Sequence, residues 1–207
     1  MFSPIKVKDN LILREGFSIP AGKIIIGSYQ KDGNGWGEGL EPKLIKGPDI
    51  FCDVVESLAK TKDIFVLLTG PARGYVKMRL ERAGIPYHHD FLKNPHEVAT
   101  YYKATDLYVV ASREEGGGAK QILESMASGI PVISTCVGMA PDVIVDRENG
   151  FITKVEDKEA LIRKAILILE DKKLRKDIIN NGLNTVKSYD WKIIASQYYE
   201  KIYKELV

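Results

Sequence analysis

Short runs of β-branched and aliphatic residues recur along the first three quarters of this chain, separated by segments with helical spacing. That alternation constrains the fold more than any other feature. KIIIGSY (23–29), IFVLLTG (64–70), a weaker IPYHH (85–89), LYVVAS (107–112), PVIST (131–135) and GFITKV (150–155) read as six strands. Several are continuously apolar, the form taken by strands buried on both faces. A ladder of strands and helices of this kind predicts an α/β fold with a parallel sheet covered by helices on both faces.

The helices between the runs have legible starts and stops. Pro48 opens PDIFCDVVESLAK, since proline at a first helical position gives up only an N–H that has no partner there. Asn94 and Pro95 open PHEVATYYKAT, with Asn94 as the cap. AKQILESMAS (119–128) puts Ile122, Leu123 and Met126 on one face and stops at Gly129 and Pro131. After Val155 only helical patterns remain, which predicts a C-terminal helical tail. Residues 1–22 alternate apolar positions (Ile5, Val7, Leu11, Leu13) and are expected to form an N-terminal strand pair or linker segment. Residues 23–207 would be a single domain.

Composition removes whole classes of function. Thirty Lys plus Arg against 28 Asp plus Glu leave a formal charge of +2, too little for the broad positive field of a nucleic-acid-coating protein. Any anion site must be local. Cys52 and Cys136 stand far apart without C-x-x-C spacing, so neither a disulfide framework nor a zinc cluster is expected, and a reducing, cytoplasmic setting suits them. No apolar run approaches the ~18 residues of a membrane span, and MFSPIKVKDN lacks the apolar region of a signal peptide.

Parallel sheets bind ligands at the carboxyl ends of their strands, and three of the loops that follow strands here are glycine-rich. The first, QKDGNGWGEGLEPKLIKGPD (30–49), holds neither G-x-G-x-x-G nor a P-loop, so NAD enzymes and P-loop NTPases are disfavoured. It does carry Lys43 and Lys46 just before a helix start, where two ammonium groups could hold a diphosphate. A pair of solvated lysines fits the same spacing. The second, TGPARGY (69–75), offers backbone amides, Arg73 and an aromatic ring, although a plain turn explains it equally well. In the third, Gly116, Gly117 and Gly118 allow close approach of a ligand to a helix N-terminus, while Glu114, Glu115 and Glu124 supply carboxylates. Carboxylates repel phosphate but accept hydrogen bonds from hydroxyls, so this loop points to a sugar or ribose, and with the lysines to a sugar nucleotide.

The block from Ser112 to Ile144, with Glu115, Gly116, Glu124, Met126, Ala127, Gly129, Pro131, Val132, Ile133 and Gly138, resembles the signature of the retaining GT-B glycosyltransferases of glycosyltransferase family 4. Gly27, the Lys43, Lys46 and Gly47 of PKLIKGPD, Gly70 with Pro71, Asn149 with Gly150, and Tyr189 to Trp191 extend the likeness across residues 23–207. The resemblance implies a Rossmann-like donor-binding domain, one half of a GT-B fold, that transfers a sugar from a nucleoside-diphosphate sugar. It implies a catalytic set of Glu115, Lys43 and Lys46, with Glu115 facing the transferred sugar and the lysines stabilising the leaving diphosphate. It implies nucleotide-sugar binding by Gly27, Ser28, Gly70, Gly116, Gly117, Gly118, Ala119, Lys120 and Glu124, the last on the ribose hydroxyls. No metal or other cofactor is implied. The partner implied is an acceptor-binding Rossmann-like domain in the same or another chain. Two departures stand out: eight residues separate Glu115 from Glu124 where the family has seven, and Ser28 and Tyr29 follow Gly27 where the family has an arginine. A nucleotide-sugar epimerase or phosphorylase-like enzyme of the same architecture, or a non-catalytic sugar-nucleotide-binding subunit, fits the same residues.

Four other features have simpler readings. His88 and His89 neighbour each other on a strand and so face opposite ways, which argues against a shared metal. Cys136 reads as a small buried thiol. Tyr101, Tyr102, Tyr198, Tyr199 and Tyr203 read as packing residues, against the sheet or the second domain. Lys172, Lys173, Arg175 and Lys176 read as a solvated face, with contact to an anionic membrane as the alternative.

Overall fold

The structure, a computed structural model, describes residues 2–5, 7–116, 118 and 120–204. The six expected strands form: β1 (Ile24–Tyr29), β2 (Ile64–Thr69), β3 (Tyr87–Asp90), β4 (Leu107–Val110), β5 (Val132–Thr135) and β6 (Phe151–Thr153). They make one parallel sheet in the order β3-β2-β1-β4-β5-β6. The order reverses between β1 and β4, and the crevice beyond the carboxyl ends of those two strands is where such sheets take ligands.

The period-two geometry of a strand explains the continuous apolar runs. In β1, β2 and β4 one set of residues (Ile26, Val66, Leu68, Val109) faces α2 (Pro48–Ala59), α3 (Gly74–Arg82) and α7 (Lys158–Glu170). The alternate set (Ile25, Phe65, Leu67, Tyr108) faces α4 (Val98–Ala104) and α5 (Lys120–Ala127). Both sets are buried, so each strand contributes to two cores. Asp157 caps α7 by accepting from Ala160 N (2.9 Å), and Asp171 caps α8 (Lys172–Thr185) by accepting from Leu174 N (2.9 Å). Asp190 opens α9 (Trp191–Tyr198), completing the helical tail. The short α6 (Ala140–Val143) follows β5. No helix among the described residues is long and apolar enough to cross a membrane.

The expected N-terminal strand pair is not found. Residues Val7–Gly16 form α1, which packs on α4. Leu13 turns toward the core with Phe17 just beyond the helix, Asn10 Nδ2 donates to the Lys103 carbonyl, and Arg14 pairs with Asp106 at 3.0 Å. Leu11 and Ile12 remain exposed. Leu11 and Leu13, two positions apart, fall on opposite sides of this helix, and the contacts of Asn10 and Arg14 with the body favour the helix over the strand.

Candidate functional site

The turn that carries Lys46 is fixed by contacts with the end of β4. Leu44–Lys46 make one 3₁₀ turn, closed by Gly47 in the left-handed region (φ 63°). The Ile45 carbonyl accepts from both Arg113 N (2.8 Å) and Glu114 N (3.1 Å). Gly47 lies so close to β4 that an added Cβ would sit 1.9 Å from the Ala111 oxygen. Arg113 reinforces the join by donating to the Leu44 carbonyl and to both carboxylate oxygens of Asp49 (2.8 and 2.7 Å).

This join brings two expected residues together across the β1–β4 switch point. Lys46 Nζ donates to Glu115 Oε2 at 2.5 Å, and Ser112 Oγ donates to Glu115 Oε1 at 2.7 Å. The side chains of Lys46 and Glu115 are 22% and 6% exposed, so the pair is largely shielded from water on the Glu115 side. Lys43 lies one turn earlier, half-buried, with its backbone N–H bonded to the Asp32 carbonyl.

A cavity of about 390 Å³, whose lining includes none of Lys43, Lys46 and Glu115, opens at the carboxyl edge between β1, β2 and the start of α5. Gly70, Gly118, Lys120 and Glu124 line it together with Tyr29 and Thr69. Glu124 is half-buried and accepts from the Tyr102 hydroxyl (3.1 Å). Burial pushes its carboxyl above the ordinary value of 4.5, and the Tyr102 bond and the Lys120 charge partly offset this. Gly116 is exposed with open space around its Cα. Gly117 and Ala119 lie outside the described residues.

Other expected site residues are placed elsewhere. Gly27 is inside β1 and does not line the cavity; a Cβ there would meet the Tyr29 hydroxyl at 2.8 Å and Thr105 at 3.1 Å. Ser28 is buried, and its Oγ accepts from Arg73 Nη2 at 3.0 Å. Arg73, from the loop after β2, is itself buried beneath the end of β1, donating to the Gln30 carbonyl and paired with Asp32 at 3.2 Å, the two side chains being 0% and 1% exposed. Desolvation raises the Asp32 carboxyl above its ordinary range despite this partner. Arg73 therefore ties the glycine-rich loop down instead of presenting a free cation. Cys136 is exposed, contrary to expectation, because it is the first residue past the end of β5; Cys52 is the buried thiol. Tyr101 and Tyr102 pack in the core, while Tyr198, Tyr199 and Tyr203 are exposed. His88 bonds Asp90 and His89 bonds the Gly70 carbonyl, and no group of three metal-ligating side chains comes together among the described residues.

The sequence reading missed the apolar wall of the cavity, formed by Pro71, Phe91, Leu92, Pro95 and Val98. Phe91 and Leu92 follow β3, whose loop holds no glycine and so gave no motif. The rule that ligands meet the carboxyl end of every strand would have included it.

Residues 40–185 match the family described as Glycosyl transferases group 1. The chain belongs to this family. It is 30% identical over 148 residues to a lipopolysaccharide core biosynthesis mannosyltransferase of Rhizobium meliloti, covering 67% of this chain and 42% of that protein. It is 29% identical over 164 residues to an uncharacterized glycosyltransferase of Methanocaldococcus jannaschii, covering 78% of this chain and 45% of that one. The chain thus spans less than half the length of these two relatives. Among solved structures, the C-terminal domain of a glycosyl transferase group 1 family protein from Francisella tularensis superposes with a TM-score of 0.72 at 26% identity, over 90% of this chain and 94% of that one. An Anabaena protein solved in complex with UDP-glucose shares the fold at a TM-score of 0.78 and 21% identity, over 98% of this chain and 54% of that one. The family member described here thus has the architecture of a C-terminal GT-B domain.

Proposed function

We propose that this glycosyltransferase domain binds the donor, a nucleoside-diphosphate sugar, and serves a retaining transfer in which the sugar passes to an acceptor hydroxyl held by a second Rossmann-like domain. What supports the reading is the Glu124-lined cavity at the carboxyl edge of the sheet, together with the Lys46–Glu115 pair formed by the loops that follow β1 and β4. The cavity's apolar wall suits a base, the Glu124 carboxylate suits a ribose diol, and Lys46 suits the diphosphate. UDP-glucose, the ligand of the Anabaena protein, is a molecule of this class.

In the proposed reaction the bond between the anomeric carbon and the diphosphate oxygen breaks, the acceptor oxygen bonds to the same face of that carbon, and the acceptor proton leaves with the nucleoside diphosphate. Lys46 offsets the negative charge that grows on the leaving oxygen, in place of a bound metal. Lys43 and the backbone N–H groups of Gly116 and Gly118 would add to this. Glu115 already accepts from Lys46 and Ser112, and each carboxylate oxygen keeps a second lone pair for a hydroxyl of the transferred sugar. Glu115 therefore orients Lys46 as well as facing the sugar.

The test is thermal and calorimetric. Uridine, guanosine or adenosine diphosphate, or a common sugar ester of one of them, should raise the melting temperature at millimolar concentration. If none does, the donor reading is wrong. Same-face transfer needs both substrates positioned together, and such positioning supplies roughly 7 to 11 kcal/mol in intramolecular reactions. The isolated chain should bind donor yet transfer little sugar until an acceptor-binding domain is added, and robust turnover by the monomer would refute that division of labour.

A further inference from the structure

Tyr102 is in α4, outside every motif that marks the site, and it is 0% exposed. Its ring is confined on several sides: the Tyr29 ring meets it edge-on at 4.8 Å between centroids, Tyr108 lies at 5.1 Å and Phe2 at 5.8 Å. A ring held this way fixes the position of its hydroxyl oxygen, and the hydroxyl donates to Glu124 Oε2 at 3.1 Å, with the Tyr108 side chain as its other polar neighbour. Among the described residues Glu124 Oε1 has no protein hydrogen bond, and Glu124 lines the cavity. A carboxylate on a flexible stem would otherwise sample several rotamers at the cavity edge.

We infer that Tyr102 is a positioning residue for the nucleotide: its immobile hydroxyl holds one oxygen of Glu124 so that the carboxylate presents a fixed edge to the 2′ and 3′ hydroxyls of a ribose. The inference rests on the nucleotide reading of the cavity. A carboxylate offers about four acceptor sites, so Oε2 can take Tyr102 and one ribose hydroxyl while Oε1 takes the other. The bond has a second effect. Tyr102 donates to the ionised form and holds the Glu124 carboxyl down against the upward push of burial, as does the Lys120 charge on the same helix; Tyr108, from β4, also faces Glu124. Loss of the hydroxyl would leave the carboxylate both mobile and more easily protonated.

A buried phenol needs some partner, and the same bond would form if Glu124 merely satisfied it. The two accounts differ in what Tyr102→Phe does to ligand selectivity. With uridine, guanosine and adenosine diphosphate and their 2′,3′-dideoxy forms as probes, the variant should bind the best ribonucleotide about tenfold more weakly, the loss of one hydrogen bond to a charged group. Its affinity for the matching dideoxy form should change less than twofold, and the acid limb of ribonucleotide binding should move to higher pH. Equal loss on both ligands, or no loss on either, would overturn the inference. Failure of all three diphosphates to bind the wild-type chain would instead remove the nucleotide reading, and this inference with it. Should Tyr102→Phe fail to fold, 3-fluorotyrosine introduced at position 102 keeps the shape and makes a stronger donor; the acid limb should then move to lower pH, and an unmoved limb would overturn the inference.

Discussion

Three glycine substitutions separate the forces that hold the Lys46 turn in place. Gly47 has φ 63°, and an added Cβ would lie 1.9 Å from a backbone oxygen; Gly35 has φ 67° with open space around it; Gly116 has open space and no positive φ. Gly116→Ala should leave the melting temperature within about a degree, since surface changes that break no contact are close to neutral. Gly35→Ala should cost only the left-handed penalty, about 1 kcal/mol, or ~2 to 4 °C for a chain of this size. Gly47→Ala carries the same penalty and must also push the turn off β4. That movement breaks the two bonds from Arg113 N and Glu114 N to Ile45 O, each worth ~0.5 to 1.5 kcal/mol. The sum is roughly 3 kcal/mol, or ~6 to 12 °C. Differential scanning calorimetry of the three variants reads this order directly. If Gly47→Ala melts with Gly35→Ala, the close packing of the turn on Ala111 does not constrain the site and the steric argument fails.

The other expected outcomes concern charge. Glu124→Gln should weaken ribonucleotide binding by about 1 to 2 kcal/mol, read by calorimetry. Because burial places the folded-state pKa of Glu124 above the unfolded value, its stability contribution is present at pH below about 4.5 and is lost as pH rises through the folded value. Glu124→Gln should therefore melt higher than wild type at pH 7 and lose that advantage near pH 4; a lower melting point at pH 7 would contradict the assignment. Lys46→Ala should weaken nucleoside diphosphates more than nucleosides, whereas equal loss would mean that Lys46 does not contact phosphate. A thiol reagent should modify Cys136 at once in the native chain and Cys52 only on unfolding, because Cys52 is buried with its thiol pushed up to about 12.

The sheet was legible because its signal is local. Six apolar runs bounded by Gly, Pro and polar residues locate all six strands, and the ladder of strands and helices implies that they are parallel. The Lys46 turn and the acidic glycine loop were legible as motifs, yet their pairing was not, since Lys46 and Glu115 are 69 positions apart and meet only because β1 and β4 are neighbours in the sheet. Arg73 shows the same limit from the other side. Its sequence context suggests a cation near a ligand, but burial against Asp32, 41 positions away, can be seen only in three dimensions. The N-terminal segment misled because a ten-residue helix with few apolar positions gives no clear period, and its conformation is decided by contacts with α4.

The two ends of the proposed donor site are held by different means. At the diphosphate end, backbone packing does the work: a left-handed glycine and a doubly bonded carbonyl fix the Lys46 turn to β4 before any side chain is considered. At the ribose end, the backbone is an ordinary helix, and the fixed element is a side chain, Glu124, held by a buried phenol. Gly116 and Gly118 have open space where a Cβ would go, so these two glycines place no comparable steric limit on a ligand. A nucleoside diphosphate would thus meet preorganised groups at its ribose and phosphate, which lowers the ordering cost of binding. The sugar beyond it would meet Glu115, the glycine stretch and the acceptor-binding domain. Selection of the nucleotide would then rest on this chain, and swapping acceptor domains on it should change which acceptor is used without changing which nucleotide binds.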